Sequence, residues 1–126
     1  MIETIAHSPD HDALRALNAS SLPVWAFDLE RHAVWWGNTA AVRFWRAASL
    51  EDLLARDFAT DSATVRKRLR LIRDDAARAG LIRDAWTLYP LGEPVPVSLA
   101  VRAIEIDDDR RAALLFEATE TQLDAL

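Results

Sequence analysis

The spacing of apolar and polar residues changes period several times along the chain, and these changes delimit the predicted elements. Residues 24–28 and 32–37 are short runs rich in valine and aromatic side chains, separated by the charged residues 29–31. Such runs joined by a polar turn are typical of a β-hairpin. Neighbouring strand residues point to opposite faces, so the adjacent Trp35 and Trp36 predict apolar contacts on both faces of the sheet.

The following segment has the spacing of amphipathic helices. Asn38 can cap a helix that has Phe44 and Trp45 on one face, and Ser49 with its acidic neighbours opens a second, short helix. The longest helix is predicted over residues 61–80. Its inward apolar stripe consists of Val65, Leu69, Ile72 and Ala76.

The last third returns to strand-like patterns. Residues 81–89, 95–106 and 111–118 are predicted strands, with turns at 90–94 and 107–109. The order of elements predicts an α+β fold, a five-stranded antiparallel sheet with helices on one face.

Both ends of the chain are predicted to be helical. Ser8, Pro9 and Asp10 are typical of a helix start, which gives an N-terminal cap helix. Residues 119–122 have the form of a capping box, so a C-terminal linker helix is expected to start at Thr119.

Composition and charge exclude several classes of function. The chain of 126 residues, 51% of them hydrophobic, is expected to form one globular domain. It has no cysteine, which excludes thiol nucleophiles, iron–sulfur clusters and thiolate zinc sites. A net charge of -5 argues against a general nucleic-acid or anionic membrane surface. The chain has neither a membrane span nor a signal peptide, so a cytoplasmic location is predicted.

Several strings of residues are informative in combination. Residues 34–41, Val-Trp-Trp-Gly-Asn-Thr-Ala-Ala, combine a strand with an asparagine and a helix of small residues. Phe-Trp at 44–45, Ala-Ser-Leu-Glu-Asp-Leu at 48–53, Trp-Thr-Leu-Tyr-Pro at 86–90 and Glu-Ala-Thr at 117–119 follow. In this order and at these distances the strings resemble a PAS domain, the sensory input module of many bacterial signalling proteins.

The resemblance implies a domain organisation and a function. Residues 22–118 would be the PAS domain, after an N-terminal cap helix or dimerisation segment at 1–21 and before a signalling linker helix that starts at 119–126. The module would be non-catalytic and homodimeric, and would relay ligand or partner binding through its terminal helices to an output domain absent from this chain. Histidine kinases and diguanylate cyclases are hosts of such modules.

The sequence departs from the family pattern in places that affect cofactors and coupling. Arg46 stands where glycine is common, and Glu117 replaces the aspartate that joins the last strand to the output helix, which weakens the expectation of coupling through that residue. Without cysteine, the flavin–thiol and thioester adducts of photoactive members are excluded. Residues 62–80 contain no histidine, which argues against histidine-ligated haem of the type known in the family. The cofactor is left open.

The aromatic residues are candidates for an internal ligand cavity, because PAS ligands are bound between sheet and helices. The candidates are Trp25, Phe27, Trp36, Phe44, Trp45, Phe58 and Trp86. One of Trp35 and Trp36 is expected to face the cavity, and the spacing does not decide which. A core filled by these rings explains the same residues without a ligand. A ligand would be small and largely apolar or aromatic, because few polar side chains fall on the inward faces.

Polar residues at the ends of predicted elements are the signalling and capping candidates. Asn38 is interpreted as a helix N-cap rather than a polar switch. Glu117 and Thr119 lie where the family connects its last strand to the output helix, and Thr119 is expected to cap that helix.

Other functions compete with the sensory interpretation. A ligand-free homodimerisation module would use the N-terminal helix and the outer face of the sheet. A small isomerase or hydratase would use Asp28 or Asp84 as a base, which requires that carboxylate to face the cavity. The acidic triplet 107–109 is better explained as a hairpin turn than as a metal site, and the basic residues within 66–73 as a solvated helix face.

Overall fold

A five-stranded antiparallel sheet forms the body of the molecule. The structure is a computed structural model that describes residues 11–120, with side chains from residue 14 onward. The strands are β1 (Val24–Asp28), β2 (Ala33–Gly37), β3 (Ile82–Leu88), β4 (Val95–Ile106) and β5 (Arg111–Glu120). Their spatial order is β2-β1-β5-β4-β3, so the hairpin and the meander meet where β1 pairs with β5. The predicted α+β fold is confirmed.

The described helices are α1 (His11–Leu17), α2 (Thr39–Phe44), α3 (Leu50–Leu54) and α4 (Ala63–Ala79). The last three begin close to the predicted positions. The side chains of Asn38, Ser49 and Ser62 each accept the backbone N–H three residues further on, which is the N-cap geometry. Gly80 ends α4 with a φ of 85°, a conformation that a residue without Cβ adopts at little cost.

The main core lies between the inner face of the sheet and α2, α3 and α4. Alternate residues of β1, β4 and β5 supply the sheet side, and Leu53, Leu69 and Ile72 supply part of the helix side. Gly37 at the end of β2 allows α3 to approach closely, because a Cβ there would lie 3.1 Å from Leu53 Cδ2. The helices of this core therefore cover one face of the sheet, as predicted.

A β-bulge corrects the prediction for the adjacent tryptophans. Trp36 lies opposite Ala26 and Val34 lies opposite Phe27, so Trp35 is the extra residue of the bulge. Trp35 packs against Ala26 and the other apolar residues of the outer face. Cross-strand partners share a face, so Trp36 also lies on the outer side with Ala26. The expectation that the two rings point to opposite faces is wrong, because strict alternation fails at a bulge.

The C-terminal prediction needs a correction as well. β5 continues through Thr119 and Glu120, which pair with Ser98 and Val97 of β4. Thr119 is therefore a strand residue and does not cap a helix, because the ladder with β4 extends to this point. The rest of the predicted linker helix lies outside the described residues, as does the predicted helix start at residues 8–10.

Candidate functional site

A cavity of about 510 Å³ lies between the inner face of the sheet and the helices. This volume lies within the range of small-molecule sites in proteins. Seven aromatic side chains line it. They are Trp25, Phe27, Trp45, Phe58, Trp86, Tyr89 and Phe116. The core is therefore not filled by its rings, and the space they enclose is predominantly apolar.

The elements of the fold set several of these rings at right angles to each other. Trp25 and Phe27 alternate on β1, Trp45 follows α2, and Phe58 lies in the loop between α3 and α4. Trp45 is edge-on to Trp25 at 84° and to Phe58 at 84°, and Phe58 is edge-on to Phe27 at 85°. Such edge-to-face pairs stabilise aromatic clusters by about 0.5–1.5 kcal/mol each beyond their buried area. These four rings therefore form one packed cluster on a wall of the cavity.

Trp45 has the one buried side-chain donor without a partner in the part of the chain that the structure describes. The side chain is 7% exposed, and its indole N–H makes no hydrogen bond. An unpaired buried donor costs about 1–3 kcal/mol, so most native structures pair such groups. The unpaired N–H lies on a ring that lines the cavity.

The structure brings most of the predicted aromatic candidates together. Five of them line the cavity. They are Trp25, Phe27, Trp45, Phe58 and Trp86. Trp36 does not line it, because the bulge keeps this ring with the outer face. Phe44 does not line it either, because the ring stacks on Trp25 with centroids 5.7 Å apart and lines a separate groove near the end of β5.

The polar part of the cavity comes from the loop between α3 and α4, which the sequence did not single out. Arg56, Asp57, Thr60 and Asp61 all line the cavity. Arg56 donates to the carbonyl oxygens of Trp45 at 2.6 Å and Pro90 at 2.8 Å. These bonds join the end of α3 to the turn after β3. The chemistry of this loop was missed because no motif marks it.

His32 contacts two of the residues that line the cavity, Phe27 and Asp61. Its Nε2 lies 2.8 Å from Asp61 Oδ2, and its ring is edge-on to Phe27 with centroids 5.0 Å apart. The side chain is 10% exposed. The pair connects the β1–β2 turn to the residue that precedes the α4 cap, across 29 positions of sequence.

The candidate residues at element ends have different surroundings. Asn38 is fully buried and is an N-cap, as interpreted from the sequence. Glu117 is exposed on β5, opposite Val24 and Ala100. Thr119 is exposed one step further along the same strand face.

The two carboxylates considered as catalytic bases do not line the cavity. Asp28 is buried, and its Oδ2 accepts a hydrogen bond from Arg111 Nε at 2.8 Å. Asp84 accepts from Arg68 at 2.8 Å and from the Trp86 indole N–H at 2.7 Å. The isomerase or hydratase alternative therefore lacks the cavity-facing base that it required.

Two residues of the acidic triplet, Asp107 and Asp109, belong to an ion cluster around Arg111. The guanidinium of Arg111 contacts Asp28 at 2.8 Å, Asp107 at 2.7 Å and Asp109 at 2.7 Å. Asp28 first, and then Asp109 and Asp107, raise the pKa of Arg111 above its ordinary value through hydrogen bonds to the charged form. Among the described side chains, residues 14–120, no group of three or more histidine and acidic residues could hold a metal ion.

We expect acid to weaken this cluster through Asp109. Its hydrogen bond to Arg111 lowers the pKa of Asp109 below the ordinary 3.8. A lowered pKa in the folded state stabilises the fold above the unfolded value, and this contribution is lost as the pH falls toward the folded value. Thermal unfolding of the wild type and of Asp109→Asn from neutral pH to about pH 3 should show a Tm difference that shrinks on acidification.

Asp108→Asn is the control for that titration. It removes a charge from the same turn and leaves the ion pairs of Arg111 with Asp107 and Asp109 in place. A Tm difference for Asp109→Asn that stays constant over the whole pH range would contradict the assignment.

Solved structures identify the architecture. A PAS domain from a two-component sensor histidine kinase matches with a TM-score of 0.63 at 14% identity, over 87% of this chain and 94% of that chain. The chain folds as a PAS domain. The PAS domain of nitrogen regulation protein NR(II) from Vibrio parahaemolyticus matches with a TM-score of 0.62 at 18% identity, over 90% of this chain and 100% of that chain. A LOV protein of Rhodobacter sphaeroides matches with a TM-score of 0.63 at 15% identity, over 89% and 67%.

Sequence comparisons do not extend this assignment. No protein-family model matches the chain, and no curated protein is significantly similar to it. At identities of 14–18% the structural likeness establishes the PAS fold, and the function has to be argued from the site.

The departure at Arg46 from the PAS pattern has a structural counterpart. Arg46 has a φ of 53°, in the left-handed region that favours glycine. Glycine at this place in the family therefore fits the backbone, and the arginine keeps the same turn at the cost of some strain. Among the helices of residues 11–120, none has the length and hydropathy to cross a bilayer.

Proposed function

We propose that this PAS domain is a sensory module that binds a small, largely aromatic ligand in its cavity and relays the change to a partner domain. The cavity of about 510 Å³, lined largely by aromatic side chains, is the observation that supports this proposal most directly. The unpaired indole N–H of Trp45 adds to it, because a ligand with an acceptor atom would satisfy that donor. The structural neighbours include PAS domains from a sensor histidine kinase and a nitrogen regulation protein.

We infer that β5 is the route of the relay. Phe116 lines the cavity and lies on β5, one strand position before the exposed Glu117. A ligand that binds more tightly to one conformation of Phe116 would favour that conformation. Because Phe116, Thr119 and Glu120 lie on the same strand, the conformations populated by the end of β5 would change with it. The homodimer and the cytoplasmic location stay predictions, as does the non-catalytic role.

Native mass spectrometry of the purified chain, compared with its denatured mass, is the first test of the proposal. A small molecule that is released on denaturation supports a ligand-binding module. A dimer of unliganded chains that also binds no probe in the experiment below would support the ligand-free dimerisation module instead.

Filling the cavity should abolish binding without unfolding the domain. Val65 on α4 is half-buried and lines the cavity, so Val65→Trp is expected to reduce binding of the neutral probe N-phenyl-1-naphthylamine at least about tenfold. Leu71→Trp is the matched control, because Leu71 lies on the same helix and is 54% exposed. Fluorescence titration measures both, and equal binding by the two variants would contradict the cavity as the site.

Amide hydrogen exchange tests the relay in the same samples. With the probe bound, exchange at the end of β5 should slow in the wild type and stay unchanged in Val65→Trp. Unchanged exchange at residues 117–120 of the probe-bound wild type would contradict a route through β5.

A further inference from the structure

We propose that the cavity selects a positively charged ligand, a quaternary ammonium or protonated amine attached to an apolar or aromatic body. This inference rests on the proposed ligand-binding function and names the chemical class of the ligand. It follows from the charges and the rings that line one continuous space.

The walls of the cavity attract positive charge. The face of an aromatic ring has a partial negative charge, and cations bind over Trp, Tyr or Phe rings within about 6 Å of the centroid. Trp45 packs edge-on against Trp25 and Phe58, and all three rings line the cavity. Trp86 shows the interaction on this protein, since the Arg68 guanidinium lies 4.1 Å from its ring centroid.

Each of the two acidic side chains of the cavity has one carboxylate oxygen that is not used in a hydrogen bond within the described side chains. Asp57 Oδ1 accepts the N–H of Ala59 at 2.7 Å, and Asp61 Oδ2 is paired with His32. The second oxygen of each carboxylate accepts no hydrogen bond from residues 14–120. Both residues line the cavity and are partly or fully exposed, which places them at its solvent-exposed opening.

The basic side chains near this opening are already engaged. Arg56, the cation of the lining, donates to the carbonyl oxygens of Trp45, Pro90 and Arg46. Its charge is balanced by the Asp52 carboxylate at 3.6 Å.

Arg66 lies near the same loop and donates to the carbonyl oxygens of Asp61 and Ala59 rather than to a carboxylate. An anionic ligand would meet ring faces and two carboxylates, with the Trp45 N–H as an unpaired donor but no free guanidinium, so its binding is disfavoured. The apolar body of a cationic ligand would pack against the aromatic rings, and its positive charge would be attracted by the rings and by the carboxylates of Asp57 and Asp61.

Three probes of nearly the same shape separate charge from shape. Benzyltrimethylammonium is the cation, neopentylbenzene is its neutral isostere, and benzylphosphonate is an anion with the same ring. Binding to the purified chain is measured by competition with N-phenyl-1-naphthylamine. We expect the cation to bind at least about tenfold more tightly than the neutral isostere, and the anion to bind more weakly than both.

Variants that neutralise one carboxylate test whether the preference for the cation comes from the acidic residues of the cavity. Asp57→Asn and Asp61→Asn should each weaken the cation about threefold to tenfold and leave the neutral isostere unchanged, because shape and hydrogen-bonding oxygens are largely kept. Asp74→Asn is the control, since Asp74 is exposed on α4 and does not line the cavity.

The outcomes distinguish this inference from the proposed function. If the neutral isostere binds as tightly as the cation, or the anion binds best, cation selection is wrong and the ligand-binding function stands. If the two variants weaken the cation no more than Asp74→Asn does, cation selection by these carboxylates is also wrong. If none of the three probes nor the naphthylamine binds, both the inference and the ligand-binding function are overturned.

Discussion

Asn38→Ala is expected to lower the free energy of unfolding by about 3–4 kcal/mol, more than the loss of an ordinary N-cap. The Oδ1 atom of Asn38 accepts from Ala41 N at 2.8 Å and from Val24 N at 3.0 Å. Its Nδ2 donates to Leu17 O at 2.9 Å and to Leu22 O at 3.0 Å. The side chain is fully buried, so alanine would leave several backbone groups without a partner. Chemical denaturation with urea measures the loss.

Ser49→Ala is the matched control for Asn38→Ala. Ser49 caps α3 through one hydrogen bond to Asp52 N at 3.1 Å and is exposed, so its loss should cost about 1 kcal/mol. Equal losses in the two variants would mean that Asn38 is only an N-cap and does not stabilise the junction of α1, β1 and α2.

Asp28→Ala is expected to cost about 3 kcal/mol, because it breaks a buried ion pair and leaves Arg111 with only the more exposed carboxylates of Asp107 and Asp109. Asp28 is 2% exposed, and its Oδ2 pairs with Arg111 at 2.8 Å. Its Oδ1 also accepts the N–H groups of Glu30 and Arg31, both at 2.9 Å, which shapes the turn after β1. Asp28→Asn keeps an oxygen for the turn and removes the charge, so its loss should be smaller.

Asp109→Ala is the comparison that shows how much burial strengthens the ion pair of Asp28, because it also removes one carboxylate from Arg111. Asp109 also contacts Arg111, at 2.7 Å, but its side chain is 58% exposed. Water and salt screen such a pair, so the loss of stability should be much smaller than for Asp28→Ala. If both variants lose the same stability in urea, the burial of Asp28 is not what makes its ion pair strong.

Much of the fold could be predicted because its signals are local. Asn38, Ser49 and Ser62 cap helices through hydrogen bonds to residues three positions away, and such short-range chemistry is visible in the sequence. The strands follow from runs of β-branched and aromatic residues, and the PAS-like order of elements follows from both. Thr119 was assigned wrongly because a capping box and a strand end share the same residues, and pairing with Ser98 decides between them.

The site was predictable only in part, because it depends on contacts between distant residues. The aromatic candidates Trp25, Phe27 and Trp45 were found by residue type, since large rings are buried wherever the core lies. Arg56, Asp61 and their partners were not found, because their role comes from the approach of a loop to the β3–β4 turn and to the β1–β2 turn.

The sequence by itself determined the order of elements, the caps and some of the buried rings, such as Trp25, Phe27 and Trp45, because these follow from residue type and from the chemistry of neighbouring residues. The tertiary structure alone decided on which face each ring lies. The bulge at Trp35 of β2 placed Trp36 on the outer face, and the packing of β1 against the helices left an open space beside Trp45 instead of a filled core. The ion cluster of Asp28 with Arg111 also required the fold, because its members lie 83 positions apart and meet only when β1 pairs with β5.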